Sequence, residues 1–207
     1  TVKYQKKNMS IELYNYLTVY GDVYETTFKL DKPKDFIKWS ENNFKYVQYN
    51  PRKSIQRLGL SITSLNGQLS GIPDLDSLAE YNKENNTNYK ERDFAIKTKV
   101  YYYPDLENIL YPVEKHIFRS HVIKLLPGGF FPAHRDFSGT QFENYRALIP
   151  LDNLNPPSFY FLVDGKIQHW QYGALYFVNT AKCHVLFNAS VMPSYVIVLN
   201  IDLNIDT

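Results

Sequence analysis

The hydrophobic pattern of this chain changes period near residue 116. Ahead of that point, extended and helical spacings alternate. Val23 to Leu30 is rich in β-branched and aromatic residues and predicts a strand. Asp31-Lys32-Pro33 marks a helix start, with Asp31 at the cap and Pro33 in the first turn. Phe36, Ile37 and Trp39 form the apolar face of that helix, which ends near Asn43. Ile55 to Ser64 alternates as a strand and runs into an Asn66-Gly67 turn. Leu75, Leu78 and Tyr81 recur at helical spacing behind Asp74 and Asp76, which predicts a short helix with acidic capping. Residues 83–88 are polar and read as a surface loop. From Asp105 the pattern is helical through Leu106, Ile109 and Leu110, until Pro112 disturbs it.

Beyond residue 116 the spacing is that of strands. His116–Leu126, Phe130–His134, Glu143–Leu151, Ser158–Val163, Lys166–Trp170, Ala174–Asn179, His184–Asn188 and Tyr195–Leu203 are separated by Gly, Pro, Asn and Asp. Short strands at close, regular spacing predict a sandwich, jelly roll or small barrel. There is no internal repeat, low-complexity stretch or linker in the sequence. The expected organisation is one structural domain, in which residues 1–115 form an α+β elaboration packed on a mainly β core of residues 116–207.

Composition narrows the function classes. The chain has 207 residues, 44% hydrophobic and 21% charged, enough apolar material for a substantial core. A net charge of +2, with no long basic block, argues against nucleic acid as a partner. No run of about 18 apolar residues predicts a membrane span. The first seven residues lack the apolar segment of a secretory signal, and Cys183 is the only cysteine, so the expectation is a cytoplasmic protein without disulfides. Oligomeric state is not legible.

The chemistry concentrates between Leu125 and Asn188. Residues i and i+2 on a strand share a face, so His134 and Asp136 can converge on one ion while Arg135 points away. A third ligand has to come from another strand. His184 qualifies, sharing a face with Leu186 and Asn188. Two imidazoles and one carboxylate occupy one face of an octahedral non-haem iron site and leave three positions open. His-x-Asp alone is a weak signal, since a surface His beside a turn Asp is common. The Pro127-Gly128-Gly129 turn before it and the lone His184 two strand-turn units after it strengthen the reading. His116, His121 and His169 lack such context and are read as structural or exposed.

The segment from about Arg119 to Asp202 resembles the double-stranded β-helix of the iron(II)/2-oxoglutarate oxygenases, and within them the aspartyl/asparaginyl β-hydroxylase-like family. The residues that carry the resemblance are Leu126-Pro127-Gly128, His134-Arg135-Asp136, Tyr145 through Leu151, Gly173 through Phe177, and His184 with Asn188. The resemblance implies a double-stranded β-helix (jelly-roll, cupin-like). It implies iron(II) held by His134, Asp136 and His184, and 2-oxoglutarate as co-substrate. The reaction implied is hydroxylation of an unactivated C–H of an amino acid, free or within a peptide.

Two expected residues are missing. Family members place an Arg about ten residues after the distal His to hold the far carboxylate of 2-oxoglutarate; here that position is Ser194, and no Arg or Lys follows His184. The Arg-x-His pattern keeps Arg146 but has Leu148 where the His would stand. A buried dianion needs a paired cation. Three readings stay open. Another cation supplies the charge (Arg146 first, then Arg119 or Lys124), the co-substrate differs, or the protein binds metal without turnover as a cupin-like module. A surface ion pair with Glu143 is the bland alternative for Arg146. A halogenase is disfavoured because Asp136 occupies the carboxylate position.

Overall fold

In the computed structural model, residues 15–51, 53, 55–136 and 144–202 are described. Two antiparallel sheets face each other. The larger runs β1 (Val23–Lys29), β11 (Ala174–Val178), β8 (Asn144–Pro150), β13 (Ser194–Asp202), β6 (Ile117–Leu125), β3 (Arg57–Ser61) and β2 (Val47–Gln48) in spatial order. The smaller runs β10 (Lys166–Ile167), β9 (Phe159–Val163), β12 (His184–Asn188) and β7 (Phe130–His134). From β6 to β13 the chain passes between the two sheets so that β13 returns beside β6. That order is a double-stranded β-helix, as the strand pattern predicts. A separate ribbon pairs β4 (Thr63–Ser64) with β5 (Ile96–Lys97).

The central strands of the large sheet are buried on both faces, which explains the unbroken apolar run Val196-Ile197-Val198-Leu199 in β13. One face holds Ile123, Leu125, Leu148, Val196 and Val198, packed with Phe159, Phe161 and Leu186 from the small sheet. The other face holds Val122, Ile149, Ile197 and Leu199. It packs with Phe36 of α1 (Pro33–Asn43) and with Leu106, Ile109 and Leu110 of α3 (Pro104–Leu110). The N-terminal strands extend the barrel's own sheet: β1 pairs with β11 and β3 with β6.

Several local expectations shift. The cap of α1 is Lys32 rather than Asp31, with no side-chain hydrogen bond. The second helix, α2, spans Leu78–Asn85, so it starts later than predicted and absorbs part of the expected loop. Asp74 instead accepts a hydrogen bond from the Leu65 amide at 2.8 Å, and Asp76 from Ser77 at 2.7 Å. The predicted strand at 55–64 splits at Ile62 into β3 and β4. The 166–170 strand shortens to two residues, because Trp170 turns in to pack on Phe161 and Tyr176. Glu143 and Leu203, ends of two predicted strands, lie outside the described residues.

Candidate metal centre

His134 closes β7 and His184 opens β12, and the two stand opposite each other across that antiparallel pair. Asp136 lies just past the end of β7, its amide donating to the Thr180 carbonyl at 3.0 Å. One Asp136 oxygen lies 3.5 Å from His134 Nε2 and 3.9 Å from His184 Nε2. The candidate ligand atoms of the three residues all fall within 4.8 Å of one another. Arg135 is exposed and takes no part.

Each imidazole is oriented from behind. His134 Nδ1 is 2.6 Å from the Pro132 carbonyl, and His184 Nδ1 is 3.0 Å from the Lys182 carbonyl. A carbonyl can only accept, so both Nδ1 atoms carry a proton, and the Nε2 atom of each ring is the one turned toward Asp136. This is the outer-shell arrangement that metal-ligating histidines need. The donor set thus fits a first-row divalent ion such as iron(II) on one face, with the opposite side open to a cavity.

Arg146, on β8, donates from Nε to the second oxygen of Asp136 at 2.8 Å. Burial alone would raise the Asp136 carboxyl. Arg146, with His134 and His184, outweighs it and holds the group well below the usual carboxylate range. His134 is raised, chiefly by its hydrogen bond to Asp136, whereas burial lowers His184. Arg146 is therefore no surface residue. Its recorded partner is a candidate metal ligand, and its predicted first-choice role on 2-oxoglutarate has to share that guanidinium.

The cavity beside the triad encloses about 520 Å³ including its mouth. Arg146, Leu148, Val196 and Val198 line it from the large sheet and Phe131, Phe161 and Leu186 from the small one, with Tyr49 and His121 closing it. Two of the other predicted cations are excluded by geometry. Lys124 falls on the opposite face of β6, with Val122, and pairs with Glu41 of α1 at 2.8 Å. Arg119 would share the cavity face with His121 by strand parity. A register shift between β6 and β13, with Arg119 at φ 41°, turns it away. Its guanidinium is held by Glu91 and by the carbonyls of Asp74 and Asp76. Ser194 lies buried on the cavity face of β13, opposite Leu125.

Of the cavity residues, Tyr49 carries no signal in the sequence, His121 reads there as structural or exposed, and Phe131 reads as a pocket or core aromatic; all three line the cavity. His121 is neither exposed nor remote: it is buried, lines the cavity, and has an Nε2 without a hydrogen-bond partner among the described residues. Burial, reinforced by Arg146 and Arg119, pushes its pKa down to about 3, so it is a neutral imidazole. It shares a rung with Leu148, since His121 pairs with Val198 and Val198 with Leu148. The imidazole absent from position 148 thus reappears two strands away. Phe131 faces inward because β7 carries a bulge: two steps along β12 from His184 match three along β7 from His134.

No protein-family model matches the sequence, and no curated protein matches it. Solved structures similar to it include an oxidoreductase of the 2OG-Fe(II) oxygenase family from Burkholderia pseudomallei, at 11% identity and a TM-score of 0.49, over 96% of this chain and 90% of that one. The viral collagen prolyl hydroxylase vCPH of Paramecium bursaria Chlorella virus-1 is similar at 8% identity and a TM-score of 0.46, over 87% and 95%. The cupin domain of Schizosaccharomyces pombe Cnp3 matches at 9% identity and a TM-score of 0.33, over 42% of this chain and 56% of that one. The fold assignment rests on the strand order and register given above, and the candidate chemistry on the side chains themselves. No helix among the described residues is long and apolar enough to cross a membrane.

Proposed function

We propose that this chain is an iron(II)- and 2-oxoglutarate-dependent oxygenase that hydroxylates a C–H bond of an amino acid, free or peptidyl. The observation that carries the reading is the convergence of two Nε2 atoms and one carboxylate at the edge of a largely apolar cavity, with both Nδ1 protons fixed by backbone carbonyls. His134, Asp136 and His184 would hold the metal. Bound iron(II) supplies an oxidation in which 2-oxoglutarate and dioxygen become succinate, carbon dioxide and one oxygen atom inserted into the substrate C–H. The chain's own part is positional. Arg146 keeps Asp136 ionised and aimed, Phe131, Phe161 and Leu186 exclude water, and the open side of the triad admits both substrates. The amino-acid substrate class rests on the sequence motifs. The near-neutral charge speaks against a nucleic-acid substrate, and the single cysteine suits a cytoplasmic setting.

The test is anaerobic iron(II) titration with and without 2-oxoglutarate, followed by oxygen uptake and succinate release across a panel of amino acids and short peptides. The expected result is a visible charge-transfer band that needs both iron and 2-oxoglutarate. Iron binding without that band and without succinate would overturn the reading and leave a cupin-like metal-binding protein.

A further inference from the structure

The cation expected at Ser194 is absent from its strand, yet the rung on which Ser194 sits does contain a guanidinium. Ser194 pairs with Leu125, and Leu125 pairs on its other side with Arg57 of β3. Directly paired residues in antiparallel strands project from the same face of a sheet. Arg57 therefore stands on the cavity face, two strands along from Ser194.

Its surroundings are unusual for an arginine. It is 3% exposed, and its Nε has no hydrogen-bond partner among the described residues. Among the described residues no carboxylate pairs with it. The guanidinium instead lies on the ring of Phe131, with Cζ 4.0 Å from the centroid, and 5.5 Å from that of Tyr49. Those two rings line the cavity, and Phe131 also stacks on His134 at 6.2 Å. An unpaired buried charge is costly, and aromatic faces offset only part of that cost. A guanidinium stacked by its face can still offer its edges, and those edges are what a carboxylate takes in a bidentate pair. The other candidate, Arg146, already spends Nε on Asp136.

We propose that Arg57 is the anchor for the distal carboxylate of the dicarboxylate co-substrate, with the Tyr49 hydroxyl beside it as a second donor. The anion subsite would then be supplied by the N-terminal half of the chain and not by β13. This rests on the oxygenase reading for the identity of the dicarboxylate. The anchor itself follows from a buried cation that has no carboxylate partner among the described residues. The same placement gives residues 47–61 a functional role beyond covering the barrel, since both Tyr49 and Arg57 come from that stretch.

The experiment uses the full chain and two ligand titrations. In the first, 2-oxoglutarate is added anaerobically to the Mn(II)-loaded protein and followed by calorimetry, with pyruvate as a 2-oxo acid that lacks the distal carboxylate. Arg57→Gln should weaken 2-oxoglutarate binding by about 100-fold or more, leave Mn(II) affinity unchanged, and leave the weak binding of pyruvate unchanged. In the second, the melting temperature of metal-free protein is followed as succinate is added. Wild type should be stabilised and Arg57→Gln should not. Without any added anion Arg57→Gln should melt no lower than wild type, because it removes a buried charge that no described carboxylate pairs. A structural arginine would give the opposite sign. Equal binding of both ligands to wild type and variant overturns the anchor and leaves the oxygenase reading standing. An Arg57-dependent succinate effect in a protein that does not bind 2-oxoglutarate supports the anchor and overturns the oxygenase reading.

Discussion

His184 and His134 face each other as a register pair of β12 and β7, with ring centroids 4.2 Å apart. Fifty residues of chain separate them, and the barrel closes that separation to one strand spacing. Each ring is fixed by a backbone carbonyl two residues before it, so neither orientation depends on a side chain that mutation could remove. His184→Ala should therefore abolish metal binding without disturbing the sheet. We expect Mn(II) affinity to fall by at least about 100-fold with an unchanged far-ultraviolet circular dichroism spectrum. Retention of tight binding by a correctly folded variant would sink the triad assignment.

Arg146 and Asp136 form a largely buried ion pair, and breaking such a pair from one side leaves a charge without compensation. In metal-free protein held in chelator, Arg146→Met should lower unfolding stability by about 2–4 kcal/mol. Asp136→Asn in the same background should recover part of the loss. A double-mutant cycle by urea denaturation reads the coupling directly. Additive single effects would show that the pair contributes nothing of its own.

Asp152 lies away from the cavity, beside β13. One of its oxygens accepts from the Tyr195 amide at 3.2 Å, and the other is buried without a partner among the described residues. Burial raises its pKa to about 7, against partial opposition from that amide and from Lys34. The unfolded chain titrates this group near 4. Between about pH 4 and 7 the folded protein thus keeps a proton that the unfolded chain has released. This stability contribution is complete below pH 4 and is lost as pH rises through 7. Wild type should lose about 1–3 kcal/mol more than Asp152→Asn between pH 4 and 8, measured by urea denaturation at each pH. Parallel curves for the two proteins would exclude Asp152 as the source.

Much of the barrel was legible in the chain. Period-two spacing and Gly/Pro punctuation beyond residue 116 reflect strands that each have to bury one face, so the strand list follows from local pattern. His134, Asp136 and His184 were legible as candidates from their spacing and turn context, although Asp136 lies just past the end of β7, where strand parity no longer applies. The N-terminal half was less so. Asp74 and Asp76 look like helix caps by spacing, but the chain there forms a turn in which they bind local amides instead.

By itself, then, the sequence determined that the second half forms short antiparallel strands and which three side chains can meet on an ion. It also determined that neither the β13 position nor position 148 could provide the usual Arg and His. Only the tertiary structure decided which groups stand in the places left open. Strand parity says that Lys124 and Leu125 face opposite ways but not which way faces the cavity, and it cannot register a bulge. One irregularity turns Phe131 inward beside His134, and another turns Arg119 out toward Glu91. Register between strands distant in sequence placed His121 on the rung of Leu148 and Arg57 on the rung of Ser194. Those alignments are long-range hydrogen-bonding choices, set by how two sheets close around a shared core, and no local window of residues contains them.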